Sequence, residues 1–246
     1  MTRLLLPRRR FTALPLAALV LAAAARARAS TVTGPAAPAP GAAPGAAPGT
    51  APGTAPGTVT AGATPPAVAA ALAPIHALDT ALLAIMHAGK AAPFQRRFDR
   101  LAPAVDRAFD LPHILRFSIG SGWSDLDATM RASLLTAFRR YTVASYVDNF
   151  DSFDGQTLTE QPTTRALPGG EQVVFTRIVS RSGASHALDY VMRQDGGQWK
   201  AIDVLADGAI SRVAVQRSDF RHLLDHGGAE ALMASLQRKV RNLSRG

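Results

Sequence analysis

The chain contains no cysteine among its 246 residues. This absence excludes disulfide bonds and zinc sites built on thiolates, and it leaves no cysteine to carry a lipid anchor. The sequence also lacks a G-x-S-x-G nucleophile elbow, an H-E-x-x-H zinc motif and a phosphate-binding P-loop. These absences argue against an enzyme, and we expect no cofactor.

Histidine and carboxylate patterns are too sparse to define a catalytic or metal site. His222 and His226 stand four residues apart, a spacing that can hold a metal, but no clear third ligand accompanies them. A solvated helix face explains the pair better, so we predict no metal. Asp203 falls within an expected strand and Asp207 in an expected turn, which indicates support of the fold.

The first 29 residues lack acidic side chains and predict an export signal. A basic start is followed by the apolar stretch Phe11–Ala25, and Ala27-Arg28-Ala29 offers a cleavage site. The apolar stretch is shorter than the roughly 20 residues of a membrane-spanning helix, which favours a cleaved signal. Arg8-Arg9-Arg10-Phe11 also resembles a twin-arginine signal, so both export routes remain open.

The strong positive charge of the chain comes largely from this signal. The whole sequence has 27 basic and 18 acidic residues, and six of the arginines lie in residues 1–29. Without them the net charge falls from +9 to +3. Nucleic-acid binding requires a strong basic footprint and is therefore disfavoured. We expect an exported protein of the periplasm.

Residues 30–66 lack aromatic side chains and almost all large apolar ones. A four-residue pattern of G-A-A-P and G-T-A-P units repeats from Gly41 to about Thr58. Such a segment cannot bury enough apolar surface to offset its conformational entropy. We predict a disordered linker, which is a free tail if the signal is cleaved and a tether if it is not.

The remaining residues, 67–246, predict one α+β domain in which helices precede strands and a helical end follows. Apolar residues recur at helical spacing in the first part, and Ser124 with Asp127 resembles a capping box. The predicted helices cover residues 67–87, 94–108, 111–117, about 124–150, 218 to 227 and 229–243. The predicted strands cover residues 172–181, 185–194, 199–205 and 210–216.

The strand pattern predicts an antiparallel meander with one buried face. Leu188, Tyr190 and Met192 alternate with Asp189 and Arg193, so one face is expected to be apolar and the other wetter. Glycine-containing turns at 182–184 and 195–197 separate the first three predicted strands. The result is a sheet of four or more strands backed by helices.

A series of short motifs resembles the MlaC/toluene-tolerance family of periplasmic phospholipid-binding proteins. They run in the family's order through residues 70–243. The motifs are Phe109-Asp110-Leu111 with Arg116-Phe117; Ile119-Gly120 with Trp123; Phe138-Arg139-Arg140-Tyr141 with Tyr146; Trp199-Lys200 with Asp203-Val204, Gly208 and Ser211; and Arg217 with Phe220. The long linker and the polar stretch His222–Gly228 depart from simpler members and fit the hopanoid-associated HpnM branch.

The resemblance implies a soluble lipid carrier whose helices pack on a twisted antiparallel sheet and enclose an apolar pocket. Its cargo would be phospholipid or hopanoid. Its partners would be an inner-membrane ABC transporter with an MCE-domain protein and an outer-membrane lipoprotein complex. This role bears on outer-membrane lipid asymmetry and includes neither nucleic acid nor catalysis.

On this hypothesis the buried sheet face and the aromatic helix line the pocket, with two aromatic residues at its mouth. Any one of these side chains would also suit an ordinary core. The predicted lining residues are Phe138, Tyr141, Phe150, Val174, Ile178, Leu188, Tyr190, Met192, Ile202, Val204 and Val213, and the predicted mouth residues are Phe117 and Trp123.

Two further interpretations remain open at this point. A protein-interaction module of the cystatin or nuclear transport factor 2 type would have a similar architecture, but a filled interior and an exposed patch. A binder of anionic membranes would use the basic last helix, which carries Arg238, Lys239, Arg241 and Arg245 near its end. Cations at a helix C-terminus also interact favourably with the helix dipole, so they do not require a partner.

Overall fold

The structure, a computed structural model, describes residues 66–245. The expected signal over residues 1–29 and all of the expected linker except Pro66 lie outside the described residues. Five α-helices are observed, together with a short 3-10 helix at Gly120–Trp123. The α-helices are α1 (Pro66–Ala88), α2 (Phe94–Ala108), α3 (Leu111–Ile119), α4 (Ala128–Asn149) and α5 (Arg212–Leu243).

Five antiparallel strands form one sheet in the order β1-β2-β3-β4-β5, which confirms the predicted meander. The strands are β1 (Thr157–Ala166), β2 (Gln172–Val179), β3 (Ser185–Asp195), β4 (Gln198–Ala206) and β5 (Ile210–Ser211). The predicted α+β class is therefore confirmed, with the helices packed on an open sheet.

The edge strand β1 was not among the predicted strands. Its sequence is mostly polar, and its pairing with β2 shifts register between Glu160 and Thr164, a segment that contains Pro162. Edge strands tolerate proline and polar side chains because one of their sides has no ladder to complete. The alternation that marks a half-buried strand is consequently weak here.

The prediction of a strand over residues 210–216 is wrong, because β5 ends at Ser211 and helix α5 begins at Arg212. The Ser211 side chain caps this helix by accepting a hydrogen bond from the backbone of Ala214 at 2.9 Å. The predicted cap at Ser218 is thus wrong as well. The expected interruption at the two glycines is observed as non-helical backbone at Gly228, within the span of α5.

The predicted N-cap of α4, Ser124, lies one turn before the observed one. The cap is Asp127, whose carboxylate accepts a hydrogen bond from the backbone of Met130 at 2.7 Å. Ser124 instead donates its hydroxyl to the carbonyl of Ser121 at 2.9 Å and closes the 3-10 turn. Both residue types favour capping, so the choice between them depends on the chain direction that packing imposes.

Helix α1 is long and apolar enough to cross a membrane by length and composition. In the structure it lies against β1, β2 and β4, and its buried side chains join the main core. A buried core helix passes the same compositional test as a membrane span, and the packing of α1 is that of a core helix. This helix covers the sheet face on which the candidate site lies.

Candidate functional site

Ten of the thirteen predicted pocket residues meet in a single buried cluster between the sheet and the helices. They come from the inner side and C-terminal end of α4, the covered faces of β2, β3 and β4, and the start of α5. The ten residues are Phe138, Tyr141, Phe150, Val174, Ile178, Leu188, Tyr190, Met192, Val204 and Val213.

The other three predicted residues lie outside this buried cluster. Ile202 is half-buried because the pairing of β3 with β4 shifts register at this point and leaves Ile202 without a cross-strand partner. Trp123 is partly buried against the cluster, beneath the guanidinium of Arg131. Phe117 is 47% exposed and stacks between His113 and Arg217.

The outer face of β3 is less exposed than its alternating sequence predicts. Asp189 points away from the main cluster but is buried, and its carboxylate accepts a hydrogen bond from the backbone of Thr176 at 3.3 Å. Burial raises the pKa of this carboxyl. The alternation of β3 therefore predicts correctly which side chains lie on each face of the strand. Only the structure reveals that the polar face is covered at Asp189.

Aromatic rings form a connected group at the centre of the cluster. The ring of Phe109 lies 5.7 Å from that of Tyr146 and 6.0 Å from that of Tyr190, and Tyr146 stacks on Phe150 at 5.9 Å. The hydroxyl groups of Tyr146 and Tyr190 are hydrogen-bonded to each other. Burial raises the pKa of both phenols, so both remain neutral.

The Phe109-Asp110 motif joins the helices to the sheet. The backbone of Asp110 donates to the carbonyl of Ala201 at 2.9 Å, and Phe109 forms a parallel bridge with the same residue. The Asp110 carboxylate caps α3 through the backbone of His113 at 3.0 Å and pairs with Arg193 of β3 at 2.9 Å. These contacts hold Phe109 over the sheet, so the Phe109-Asp110 motif positions an aromatic ring of the cluster.

Asp203 and Ser211 of the Trp199–Ser211 motif form a second junction, between β4 and α5. Asp203 is thus a supporting residue of the fold, as its place in an expected strand predicted. One carboxylate oxygen of Asp203 accepts from the backbones of Val204 at 2.7 Å and Val213 at 3.1 Å. The other accepts from the Ser211 hydroxyl at 2.5 Å. This carboxylate therefore ties β4 to the first turn of α5.

Replacing Asp203 with alanine is expected to lower the free energy of unfolding by about 2–3 kcal/mol, because three donors lose a charged acceptor. Urea denaturation followed by circular dichroism measures this loss. Asp154→Ala is the matched control, since Asp154 is exposed and its nearest cation, Arg181, is 3.9 Å away. That control is expected to change stability by less than about 0.5 kcal/mol. Equal losses in both variants would contradict the assigned junction.

The last motif, Arg217 with Phe220, fastens α5 to the other helices. The guanidinium of Arg217 lies 5.0 Å from the centre of the Phe117 ring and also covers Gly120. Phe220 meets Phe138 edge to face at 6.1 Å inside the cluster. The aromatic residue of the motif is thus a core contact, whereas its arginine closes the surface over the end of α3.

Among residues 66–245, one carboxyl has a buried oxygen without a partner, and it lies on helix α1. Asp79 is 6% exposed, and its Oδ2 atom has no hydrogen-bond partner among residues 66–245. Burial and the neighbouring carboxylate of Glu160 raise its pKa to about 8. Asp79 is not among the residues predicted from the sequence, because one polar residue in an Ala/Leu-rich helix gives no signal of its surroundings.

A second concave region lies on the outside of the helical layer. Two adjoining cavities of about 460 and 490 Å³ lie along α2, α4 and the end of α5, and Arg140, Val240 and Arg241 line both. Lys239, one of the basic residues of the last helix, instead lies over the Tyr141 ring at 5.2 Å. The basic end of α5 is therefore only partly a solvated face.

Two of the histidines considered as metal ligands lie side by side on α5. His222 and His226 are exposed neighbours on α5, and the ring of His226 contacts the carbonyl of His222 at 2.8 Å. Within residues 66–245 no group of three or more side chains is arranged to hold a metal. His113 and His186, which have no evident partner in the sequence, lie near Arg193 and Asp207, respectively.

Comparison with known proteins places this architecture in a family. The family model described as MlaC protein matches residues 76–238. A phospholipid-binding protein from Ralstonia solanacearum, solved in complex with a phospholipid, has the same fold with a TM-score of 0.61 and 19% sequence identity. That match covers 71% of this chain and 98% of the other. A search of curated proteins found no match. Because the family match spans well over half of the sequence, this chain belongs to the MlaC family.

Proposed function

We propose that this protein is a soluble lipid carrier that holds the acyl chains of its cargo between the helical layer and the sheet, and that it performs no chemistry on them. The observation that carries this proposal is the apolar cluster, to which α4, α5 and three strands contribute the predicted lining residues. Membership of the MlaC family and the fold shared with a phospholipid-bound protein support it.

The physical demand on such a carrier is large. A phospholipid has roughly 30 chain methylenes, and each gains about 0.8 kcal/mol on leaving water, so the chains together require about 24 kcal/mol of shielding. A polar groove cannot provide this, whereas an apolar sheet face beneath apolar helices can. Since the ten clustered residues are buried, loading requires the helical layer to separate from the sheet and the chains to take the place of core contacts.

The carrier would act in the periplasm, between an inner-membrane ABC transporter with its MCE-domain protein and an outer-membrane lipoprotein complex. The predicted signal over residues 1–29 supports export, and the family resemblance supports these partners. Phospholipid and hopanoid are both candidate cargoes, because each requires an apolar enclosure. Phe117 and Trp123, which lie outside the buried cluster, suit the mouth of the opened pocket.

Mass spectrometry of co-purifying lipid tests this function directly. The full chain is expressed with its own signal, purified from the periplasm without detergent, and extracted with organic solvent. We expect phospholipid or hopanoid at about one molecule per protein. A well-folded sample that contains no lipid, and takes none from phosphatidylglycerol or hopanoid-containing vesicles, would exclude a carrier. The protein-interaction interpretation would then be preferred.

A further inference from the structure

Asp79 has a buried carboxyl that the packing of the fold leaves without a full set of hydrogen bonds. The side chain lies in the contact between α1 and the sheet, and one of its oxygens has no partner among the described residues. Its electrostatic neighbours are Glu160 of β1 and the phenols of Tyr146 and Tyr190. The charged group that acts on the pKa of Asp79 is Glu160, which has the same sign as an Asp79 carboxylate and therefore cannot compensate its charge.

A carboxyl in this position is held as the neutral acid. Burial and the adjacent Glu160 both disfavour the carboxylate. A neutral carboxyl has one O–H donor as well as acceptor oxygens, and a buried polar group without a partner destabilises the fold. Such groups in native proteins call for an explanation, and a ligand that supplies the missing partner is one.

The polarity around Asp79 changes in one direction, from solvent to core. His76, one turn earlier on α1, has a side chain that is 74% exposed and contacts Glu160 at 3.1 Å. The Glu160 side chain is 18% exposed, Asp79 is 6% exposed, and Tyr146 and Tyr190 lie wholly within the apolar cluster. Asp79 therefore lies at the boundary between a charged surface and an apolar interior.

A glycerolipid has the same order of groups. Its charged head is followed by the ester carbonyls and then by the acyl chains. A lipid whose chains occupy the cluster and whose head lies near His76 and Glu160 would bring an ester carbonyl to the boundary position. A carbonyl oxygen only accepts hydrogen bonds, which complements the free donor of a neutral carboxyl.

We propose that Asp79 recognises an ester carbonyl of an acyl glycerolipid, and that the neighbouring phenols of Tyr146 and Tyr190 complete the polar contact. This inference rests on the proposed carrier function and narrows its cargo to ester-linked glycerolipids. It makes Asp79 a specificity residue rather than a structural one. In the lipid-free protein the unpartnered carboxyl of Asp79 lowers the stability of the fold. When cargo is bound, the carboxyl forms the hydrogen bond that it otherwise lacks.

Competition between two matched lipids tests the proposal. The delipidated full chain is incubated with vesicles that contain equal amounts of dioleoyl phosphatidylglycerol and its ether-linked analogue, which lacks the carbonyls. Mass spectrometry then measures the ratio of bound ester to bound ether lipid. We expect wild type to favour the ester about five- to tenfold, the equivalent of one net hydrogen bond.

Two variants of similar size separate recognition from folding. Asp79→Leu removes the donor, and we expect the ester-to-ether ratio to fall to about 1 while total lipid uptake persists. Asp79→Asn retains an N–H donor, and we expect it to keep part of the preference. A purely structural role would change total uptake and leave the ratio unaltered, so the ratio is the decisive measurement.

Three results would overturn the proposal in different ways. A ratio near 1 in wild type would exclude recognition of the ester group while leaving the carrier function intact. A preserved ratio in Asp79→Leu would assign the preference to another residue. Failure of wild type to take up either glycerolipid would exclude the ester-linked cargo. If it also took up no hopanoid, the carrier function would fail with it.

Discussion

Replacing Asp79 with asparagine is expected to stabilise the protein by about 4 kcal/mol at pH 7, because each unit of pKa shift corresponds to about 1.4 kcal/mol. The pKa of Asp79 lies at about 8 in the folded protein, against an ordinary value of 3.8. At neutral pH the folded state must therefore keep a proton that the unfolded chain releases. Asparagine has nearly the same shape and carries no ionisable group.

The pH dependence gives the sharper measurement. Between pH 4 and pH 8 the folded state binds the extra proton, so this carboxyl makes wild type progressively less stable as the pH rises. The stability difference between Asp79→Asn and wild type should be smallest near pH 4, grow to pH 8 and then level off. Urea denaturation at intervals of one pH unit measures it.

Asp148→Asn is the control for this titration. Burial also raises the pKa of Asp148, but its side chain is only half-buried, so we expect a weaker pH dependence in the same direction. A difference between Asp79→Asn and wild type that stays constant from pH 4 to pH 8 would contradict the raised pKa. In that case Asp79 would be ionised at neutral pH and could not act as a hydrogen-bond donor.

Replacing Phe138 with alanine is expected to lower the free energy of unfolding by about 3–5 kcal/mol, because it leaves a large cavity in the core. Phe138 is fully buried and meets Phe220 edge to face at 6.1 Å. Urea denaturation of the delipidated protein measures the loss. Phe117→Ala removes the same side chain from a position that is 47% exposed, and we expect it to cost less than about 1 kcal/mol.

The outcome at Phe138 also bears on how cargo is accommodated. A loss of several kcal/mol would mean that the empty interior is closely packed, so cargo chains must displace existing contacts. A loss below about 1 kcal/mol would contradict close packing around Phe138 and indicate space that remains open without cargo.

Together, the Asp79 and cargo-binding predictions describe one trade-off. Asp79→Leu should leave the protein at least as stable as wild type while it loses discrimination between ester and ether lipids. Such opposite changes are expected where a binding group is maintained at a cost in stability. A residue that served only the fold would lose stability when replaced, so the direction of the stability change separates the two roles.

Local patterns were sufficient for most of the architecture. Helical spacing located α2, and glycine-containing turns located the hairpins that connect β2, β3 and β4. The alternation of Leu188, Tyr190 and Met192 also identified the buried face of β3. These features depend on neighbours three or four residues apart in a helix, or two apart in a strand, and such neighbours are visible in the sequence.

Errors arose where a distant contact decides the local conformation. The stretch after Ile210 alternates like a strand, yet it is helical from Arg212, because Ser211 and the carboxylate of Asp203 cap its first turn. Ile202 fits the apolar pattern of β4 but is displaced by the register shift opposite β3. Neither the cap nor the register shift can be recognised before the two segments are brought together.

The sequence by itself determined the α+β class, the family resemblance, and the set of apolar side chains from which ten buried cluster residues are drawn. Composition and short-range periodicity carry that information, because burial of apolar surface drives folding without requiring particular partners. Only the tertiary structure decided the meaning of the polar residues. Asp203 joins a strand to a helix and Asp79 lies unpaired at the edge of the core, because the role of a carboxyl depends on the donors, charges and solvent that folding places around it.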